Sequence, residues 1–151
     1  RLCDEGYRNV AVLDVSKKAL AVARARLADK AATAEWYAQD VTGFRPPHRF
    51  SVWHDRAVFH FLTARADRKK YIAVLEQALA PGGQVIIMTF AIDGPEKCSG
   101  LDIIQYDADK LMHELGPGFE LLENGYDTHL TPAGGEQRFA YFRLVTTETV
   151  V

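Results

Sequence analysis

Three aspartates, Asp14, Asp40 and Asp55, follow three short β-rich runs: VAVLD at 10–14, AEWYAQD at 34–40 and FSVWHD at 50–55. Continuous apolar runs of this length suit strands buried on both faces, as in a parallel sheet. Sheets of that kind bind ligands at the carboxyl ends of their strands, so the residues just past each run are the ones to inspect. The region of Asp93, past a fourth run, belongs with them. A carboxylate accepts two hydrogen bonds and can hold both hydroxyls of a ribose. In nucleotide-binding sheets such an acid lies roughly 20 residues beyond a glycine-rich turn. For Asp14 that turn falls before Arg1. Gly82-Gly83 leads from a helix to a strand and Gly134-Gly135 lies in a hairpin, so neither substitutes. The expectation is therefore a first strand and glycine-rich loop upstream of Arg1, with Leu2 to Gly6 as the tail of the helix that followed them.

Each acid also has a plainer role. Asp14 can be a solvated strand end before a helix cap, and Asp40-Val41-Thr42-Gly43 also reads as an ordinary turn. Asp55 can cap the helix that follows it or pair with Arg56. His48, His54 and His60 are spaced by six residues, which does not stack them on one helical face. No HExxH or paired-cysteine element accompanies them, so they read as satisfied or surface histidines and no metal site is expected. Cys98, beside Ser99, lacks a G-x-S-x-G elbow, which argues against a hydrolase. Arg68, Lys69 and Lys70 oppose the dipole of the helix they begin and read as a solvated turn.

The elements that must position these residues alternate. A strand within Arg8–Val15 precedes a helix capped by Ser16, with Leu20, Ala23 and Leu27 at helical spacing. A second strand spans Ala34–Ala38. Pro46-Pro47 precedes a third at Phe50–His54, followed by a short helix over Arg56–Leu62. Ala66–Leu79 is a helix with Ile72, Leu75 and Leu79 on one stripe and Tyr71, Val74 and Ala78 beside it. Pro81-Gly82-Gly83 ends it before a strand at Gln84–Phe90. Asp93–Gly100 is irregular, and a helix follows over Asp107–Leu115. Phe119–Thr128 and Gln137–Thr146 form a hairpin around Thr131–Gly135. This pattern predicts an α/β fold, a doubly wound, mostly parallel sheet with a C-terminal antiparallel hairpin.

The 151 residues are 48% hydrophobic and 25% charged, enough for one ordinary core and one domain over 1–151. A net charge of −2 gives no strong pull toward nucleic acid or an anionic membrane. No apolar run approaches a membrane span, and no signal peptide is expected from these residues. The two cysteines, far apart and outside any CxxC, fit a reducing cytoplasm.

The segments VAVLDVS, AQDVTGF, FSVWHDRAVFHFL, LAPGGQVIIMTF and the terminal hairpin, in this order and spacing, resemble the class I S-adenosylmethionine-dependent methyltransferases. The resemblance is to the broad bacterial type 11/12 methyltransferase domains and covers nearly the whole chain. It implies a Rossmann-like sheet, S-adenosylmethionine as cofactor and a small-molecule or protein methyl acceptor. Asp14 would bind the ribose hydroxyls, and Val15 would pack on the adenine face. Asp40 would accept from the adenine amino group, and the Val41 N–H would donate to the ring. His54 and Asp55 would end the strand that meets the methionine half, with His60 near the reacting end. The family's glycine-rich motif is absent, so the domain is read as incomplete at its N-terminus. The absent strand would lie between the Val10 and Val52 strands, and its loss is expected to expose edges and lower solubility.

The implied chemistry is in-line transfer of a methyl group from a sulfonium. Alignment is its main demand, and a base is needed only for an acceptor that must lose a proton. The catalytic residue is left open, with His60, Asp93 and Tyr106 as polar side chains to test. Ile92–Tyr106 and His129–Gln137 leave the binding edge and are expected to set acceptor choice. Two rivals stand beside this reading: an NAD(P)-dependent Rossmann oxidoreductase, and a non-catalytic partner-binding domain of the same fold.

Overall fold

A computed structural model describes residues 2–147. The chain divides into two compact units, Arg1–Phe44 and Arg45–Val151.

In the first unit, strand β1 (Val10–Asp14) is followed by helix α1 (Lys17–Leu27), a 3₁₀ stretch over Ala28–Thr33 and strand β2 (Ala34–Ala38). The strands pair in parallel, Val10 opposite Ala34 and Asp14 opposite Ala38. Parallel neighbours need a crossover, which α1 supplies. The helix starts where expected: the Ser16 side chain accepts the Ala19 N–H at 3.1 Å, satisfying one of the donors a helix start leaves open. It stops at Ala28, whose φ of 47° cannot continue a right-handed helix. The Trp36 indole donates to the Ala31 carbonyl at 2.9 Å and carries the Arg24 guanidinium over its face at 5.1 Å. One ring thereby ties β2 to both the helix and the stretch that follows it.

The second unit runs β3 (Phe50–Arg56), a 3₁₀ turn at Phe59–Phe61, α2 (Arg65–Ala78) and β4 (Leu79–Phe90). Two short strands follow, β5 (Lys97–Cys98) and β6 (Leu101–Asp102), then α3 (Ala108–Leu115), β7 (Phe119–Leu130) and β8 (Glu136–Thr146). The four-stranded sheet has the order β3-β4-β8-β7. Only β3 and β4 are parallel, while β4 with β8 and β8 with β7 are antiparallel. Parallel strand–helix–strand pairs closed by an antiparallel hairpin give the Rossmann-like α/β fold that the alternation predicts. Val85, Ile87, Phe142 and Leu144 are fully buried on the sheet, with Tyr71, Leu75 and Ala78 of α2 equally buried.

Three boundaries differ from the sequence reading. The third strand extends through Arg56, and the helix expected over Arg56–Leu62 shrinks to one 3₁₀ turn. Ala57 donates to the Met88 carbonyl at 2.9 Å, continuing the ladder, and its φ of 61° then breaks any helix. β4 begins at Leu79 rather than Gln84. Phe50 pairs with Leu79 and Val52 already with Gln84, so the Pro81-Gly82-Gly83 segment bulges out of a strand. The buried stripe of α2 is Arg68, Tyr71, Val74, Leu75 and Ala78, with Ile72 only half-buried. The solvated reading of Arg68 is thus wrong: it is 8% exposed, because three acceptors inside the fold take up its guanidinium.

Past β4 the chain turns tightly at Gly94, whose N–H donates to the Ala91 carbonyl at 2.8 Å. A Cβ at Gly94 would lie 2.6 Å from the Arg138 carbonyl oxygen of β8, a backbone atom with no freedom to move away. Gly94→Ala is therefore expected to destabilise the protein by about 1–3 kcal/mol. Urea denaturation checks this, and an unchanged midpoint would show that the turn does not need this approach.

Candidate functional site

In the first unit the parallel register brings Asp14 and Asp40 to one edge. Asp14 is the last residue of β1, Ala38 the last of β2, and the Gln39 N–H donates to the Asp14 carbonyl at 3.2 Å. Asp14 Oδ1 accepts the Ser16 N–H at 2.7 Å, while Oδ2 has no partner among the described residues. Val15, next along, is 74% exposed, an apolar side chain presented at the strand end. Asp40 Oδ1 accepts the Thr42 N–H at 2.8 Å and the Thr42 hydroxyl at 2.7 Å, capping the 3₁₀ turn Val41–Gly43. The turn reading of Asp40 therefore holds, whatever else the residue does. Val41 is the first residue of that turn, where the turn's own hydrogen bonds leave the N–H unused.

In the second unit Asp55 and His54 lie on opposite sides of their strand. Successive residues of a strand face opposite sides, and along β3 Asp55 is buried while His54 is exposed. Asp55 Oδ1 accepts the Val58 N–H at 2.8 Å. Its Oδ2 accepts the Phe59 N–H at 3.1 Å and the Tyr71 hydroxyl at 2.6 Å. The Trp53 indole in turn donates to the Tyr71 oxygen at 3.1 Å. Burial pushes the Asp55 carboxyl above its ordinary range, against the pull of those three donors. Burial, and then the charge of Asp55, raise the Tyr71 phenol. Both Asp55 oxygens are thus engaged within the chain, in the capping role that the sequence also offered for it.

His60 is fully buried, with Nδ1 accepting the Phe90 N–H at 3.1 Å. Its carbonyl accepts the Ile104 N–H at 2.8 Å, fastening the segment after β6 over the end of β4. Tyr106 is also fully buried, and its hydroxyl, like His60 Nε2, lacks a partner among the described residues. Burial pushes the Tyr106 phenol well above its ordinary value. Asp93, the third polar side chain singled out, lies exposed and pairs with Arg138. Arg138 also covers the Tyr126 ring at 4.3 Å. A cleft of about 400 Å³ is lined by Asp93, Gly94, Pro95, Thr128, Glu136 and Arg138. It draws on both segments expected to set acceptor choice, which the fold brings to one place.

Sequence reasoning missed Arg68. Its Nε donates to Glu114 of α3 at 3.0 Å, and its NH1 to the Leu62 and Thr63 carbonyls at 3.1 and 2.8 Å. It holds the far end of the turn that carries His60. Its place on the Tyr71–Val74–Leu75–Ala78 stripe, three residues before Tyr71, was the available signal. Among the described residues no three metal-binding side chains gather, and no helix is long and apolar enough to cross a membrane.

Burial lowers the His60 pKa from 6.5 to about 4. The unfolded chain then binds more protons than the folded one between those values, so stability falls as pH drops from 6.5 to 4. The full shift corresponds to roughly 3 kcal/mol. His60→Asn is expected to remove that portion of the acid sensitivity, measured by urea denaturation at pH 7 and pH 4.5. Equal acid sensitivity in both proteins would contradict the assignment.

A protein-family model described as a methyltransferase domain matches residues 1–83. No curated protein matches the chain. Among solved structures, the N-methyltransferase NodS from Bradyrhizobium japonicum WM9 aligns with a TM-score of 0.73 and 17% identity. That alignment covers 93% of this chain and 74% of NodS. The 1,6-didemethyltoxoflavin-N1-methyltransferase from Burkholderia thailandensis aligns at 0.72 and 19% identity, covering 97% and 64%. The glycopeptide N-methyltransferase MtfA aligns at 0.68 and 18% identity, covering 97% and 80%. At such identities these structures show the fold. The family model spans more than half of the sequence, and the chain belongs to the methyltransferase-domain family.

Proposed function

We propose that this protein transfers a methyl group from S-adenosylmethionine to a small-molecule or protein acceptor, and that it works in the cytoplasm. The observation that carries the reading is the pair of acids at the carboxyl ends of two adjacent parallel strands, Asp14 and Asp40. The residues present fit an adenosine. Asp14 keeps an unpartnered oxygen at the strand end for a ribose hydroxyl, and exposed Val15 offers an apolar face for a purine. Val41 offers a backbone N–H to the ring edge, and Asp40 accepts from an exocyclic amino group. NodS and MtfA have been crystallised with S-adenosylhomocysteine and S-adenosylmethionine respectively, which supports the same cofactor here. Both cysteines are free thiols, in keeping with a reducing compartment.

Bound S-adenosylmethionine supplies a methyl group already activated on a sulfonium. The protein's task is then to bind, orient and exclude water. Asp14 and Asp40 fix the adenosine end. The cleft lined by Asp93, Glu136 and Arg138 belongs to the second unit, where Gly94 keeps the loop close to β8. Buried Tyr106, its phenol raised, stays protonated and is not a base at neutral pH. An acceptor whose nucleophilic atom is already deprotonated or carries a lone pair needs no base.

Calorimetric titration of S-adenosylhomocysteine and, separately, NADH tests the reading. Micromolar binding of adenosylhomocysteine is expected, weakened at least tenfold in Asp14→Ala and less in Asp40→Ala, whose carboxylate also caps its own turn. Binding of NADH instead would move the protein to the oxidoreductases. Binding of neither would favour a partner-binding domain.

A further inference from the structure

His60 sits where the ladder between β3 and β4 runs out. Its last backbone bond is Ala57 N–H to the Met88 carbonyl, and the next donor of β4, the Phe90 N–H, goes to His60 Nδ1 at 3.1 Å. From the other side, Ile104 N–H donates to the His60 carbonyl at 2.8 Å and Tyr106 N–H to the Phe90 carbonyl at 3.1 Å. These four bonds fix the imidazole between β4 and the 104–106 segment. A ring nitrogen that accepts a hydrogen bond carries no proton, so the proton of the neutral ring is on Nε2. That Nε2–H is buried and meets no acceptor among the described residues. The rings around it, Phe61 at 4.6 Å and Phe90 at 4.9 Å, offer none. Burial alone accounts for the lowered pKa, with no charged group contributing, so the ring stays neutral at physiological pH.

Tying off the Phe90 N–H requires only an acceptor and makes no use of the Nε2–H. The second nitrogen therefore asks for another explanation, because buried donors are almost always satisfied. We propose that His60 contacts the methyl acceptor and helps determine its identity, its Nε2–H donating to a carbonyl, carboxylate or ring-nitrogen acceptor atom on that substrate. The inference rests on the methyl-transfer reading. It also removes His60 as a general base, since Nε2 already holds its proton and Nδ1 is occupied. The 104–106 segment must shift for the substrate to reach the ring.

Two measurements on the full chain test this. Long-range proton–nitrogen correlation on imidazole-labelled protein is expected to show the His60 proton on Nε2 throughout pH 5–9. A proton on Nδ1, or an imidazolium above pH 6, would overturn the proposal. Adenosylhomocysteine release is then followed with S-adenosylmethionine and a panel of carboxylate, carbonyl and ring-nitrogen acceptors, each paired with an isostere lacking that atom. His60→Asn keeps an acceptor for Phe90, but its shorter amide places no donor at the Nε2 position. It should bind adenosylhomocysteine as the parent does and lose at least tenfold in kcat/KM on the hydrogen-bonding acceptor, with little change on the isostere. His60→Gln, which places an amide N–H near the Nε2 position, should recover part of that loss. His60→Asn matching the parent on every acceptor turned over would sink the proposal. A protein that binds no adenosylhomocysteine would instead strike the methyl-transfer reading, and the tautomer measurement would still stand.

Discussion

A buried carboxylate organises the second unit. Asp55 is almost wholly removed from water and accepts three hydrogen bonds from groups on either side of it: two backbone N–H groups of the next turn and the phenol of α2. A buried ionisable group without such partners would cost several kcal/mol, so the chain must place them. That requirement ends β3, puts Ala57 in the left-handed region and turns the backbone so that Phe59 and His60 enter the core. It also fixes Tyr71, and through it Trp53, so one side chain of the strand sets the first turns of the helix packed on it. Arg68 completes the arrangement at the other end of the turn by taking the Leu62 and Thr63 carbonyls.

Three acids at three strand ends thus meet three fates, and burial separates them. Asp55 is enclosed and works as scaffold. Asp40 is exposed and divides its attention with the turn it caps. Asp14 uses one oxygen to steady the start of α1 and keeps the other available beside an exposed valine. Positions equivalent in sequence are not equivalent in chemistry, and what surrounds each carboxylate decides which can hold a ligand.

The alternation of strands and helices was legible because each element carries its own local signal. Ser16 before an alanine-rich run, Asp107 three residues before Lys110, and the turn residues between Leu130 and Glu136 mark their boundaries without help from the rest of the fold. Boundaries failed where long-range pairing decides them. Nothing local says that Leu79 pairs with Phe50, or that Ala57 continues a ladder to Met88. Asp14 and Asp40 could be picked out because both follow β-rich runs. The inward turn of Arg68 is marked locally only by its place on the α2 stripe, because the side chain that pairs with it, Glu114, is distant in sequence. Likewise the engagement of Asp55 depends on Tyr71, sixteen residues away, and the meeting of Asp93 with Arg138 on the approach of β8.

The account centres on the carboxyl ends of β1 and β2 as an adenosine site. The most direct measurement is backbone amide chemical-shift mapping of the isotopically labelled chain as S-adenosylhomocysteine is added. The account predicts saturable shifts at Val15 and Ser16 and at Val41 and Thr42, with smaller changes elsewhere in β1 and β2. Saturable binding that leaves these four amides unmoved would contradict it.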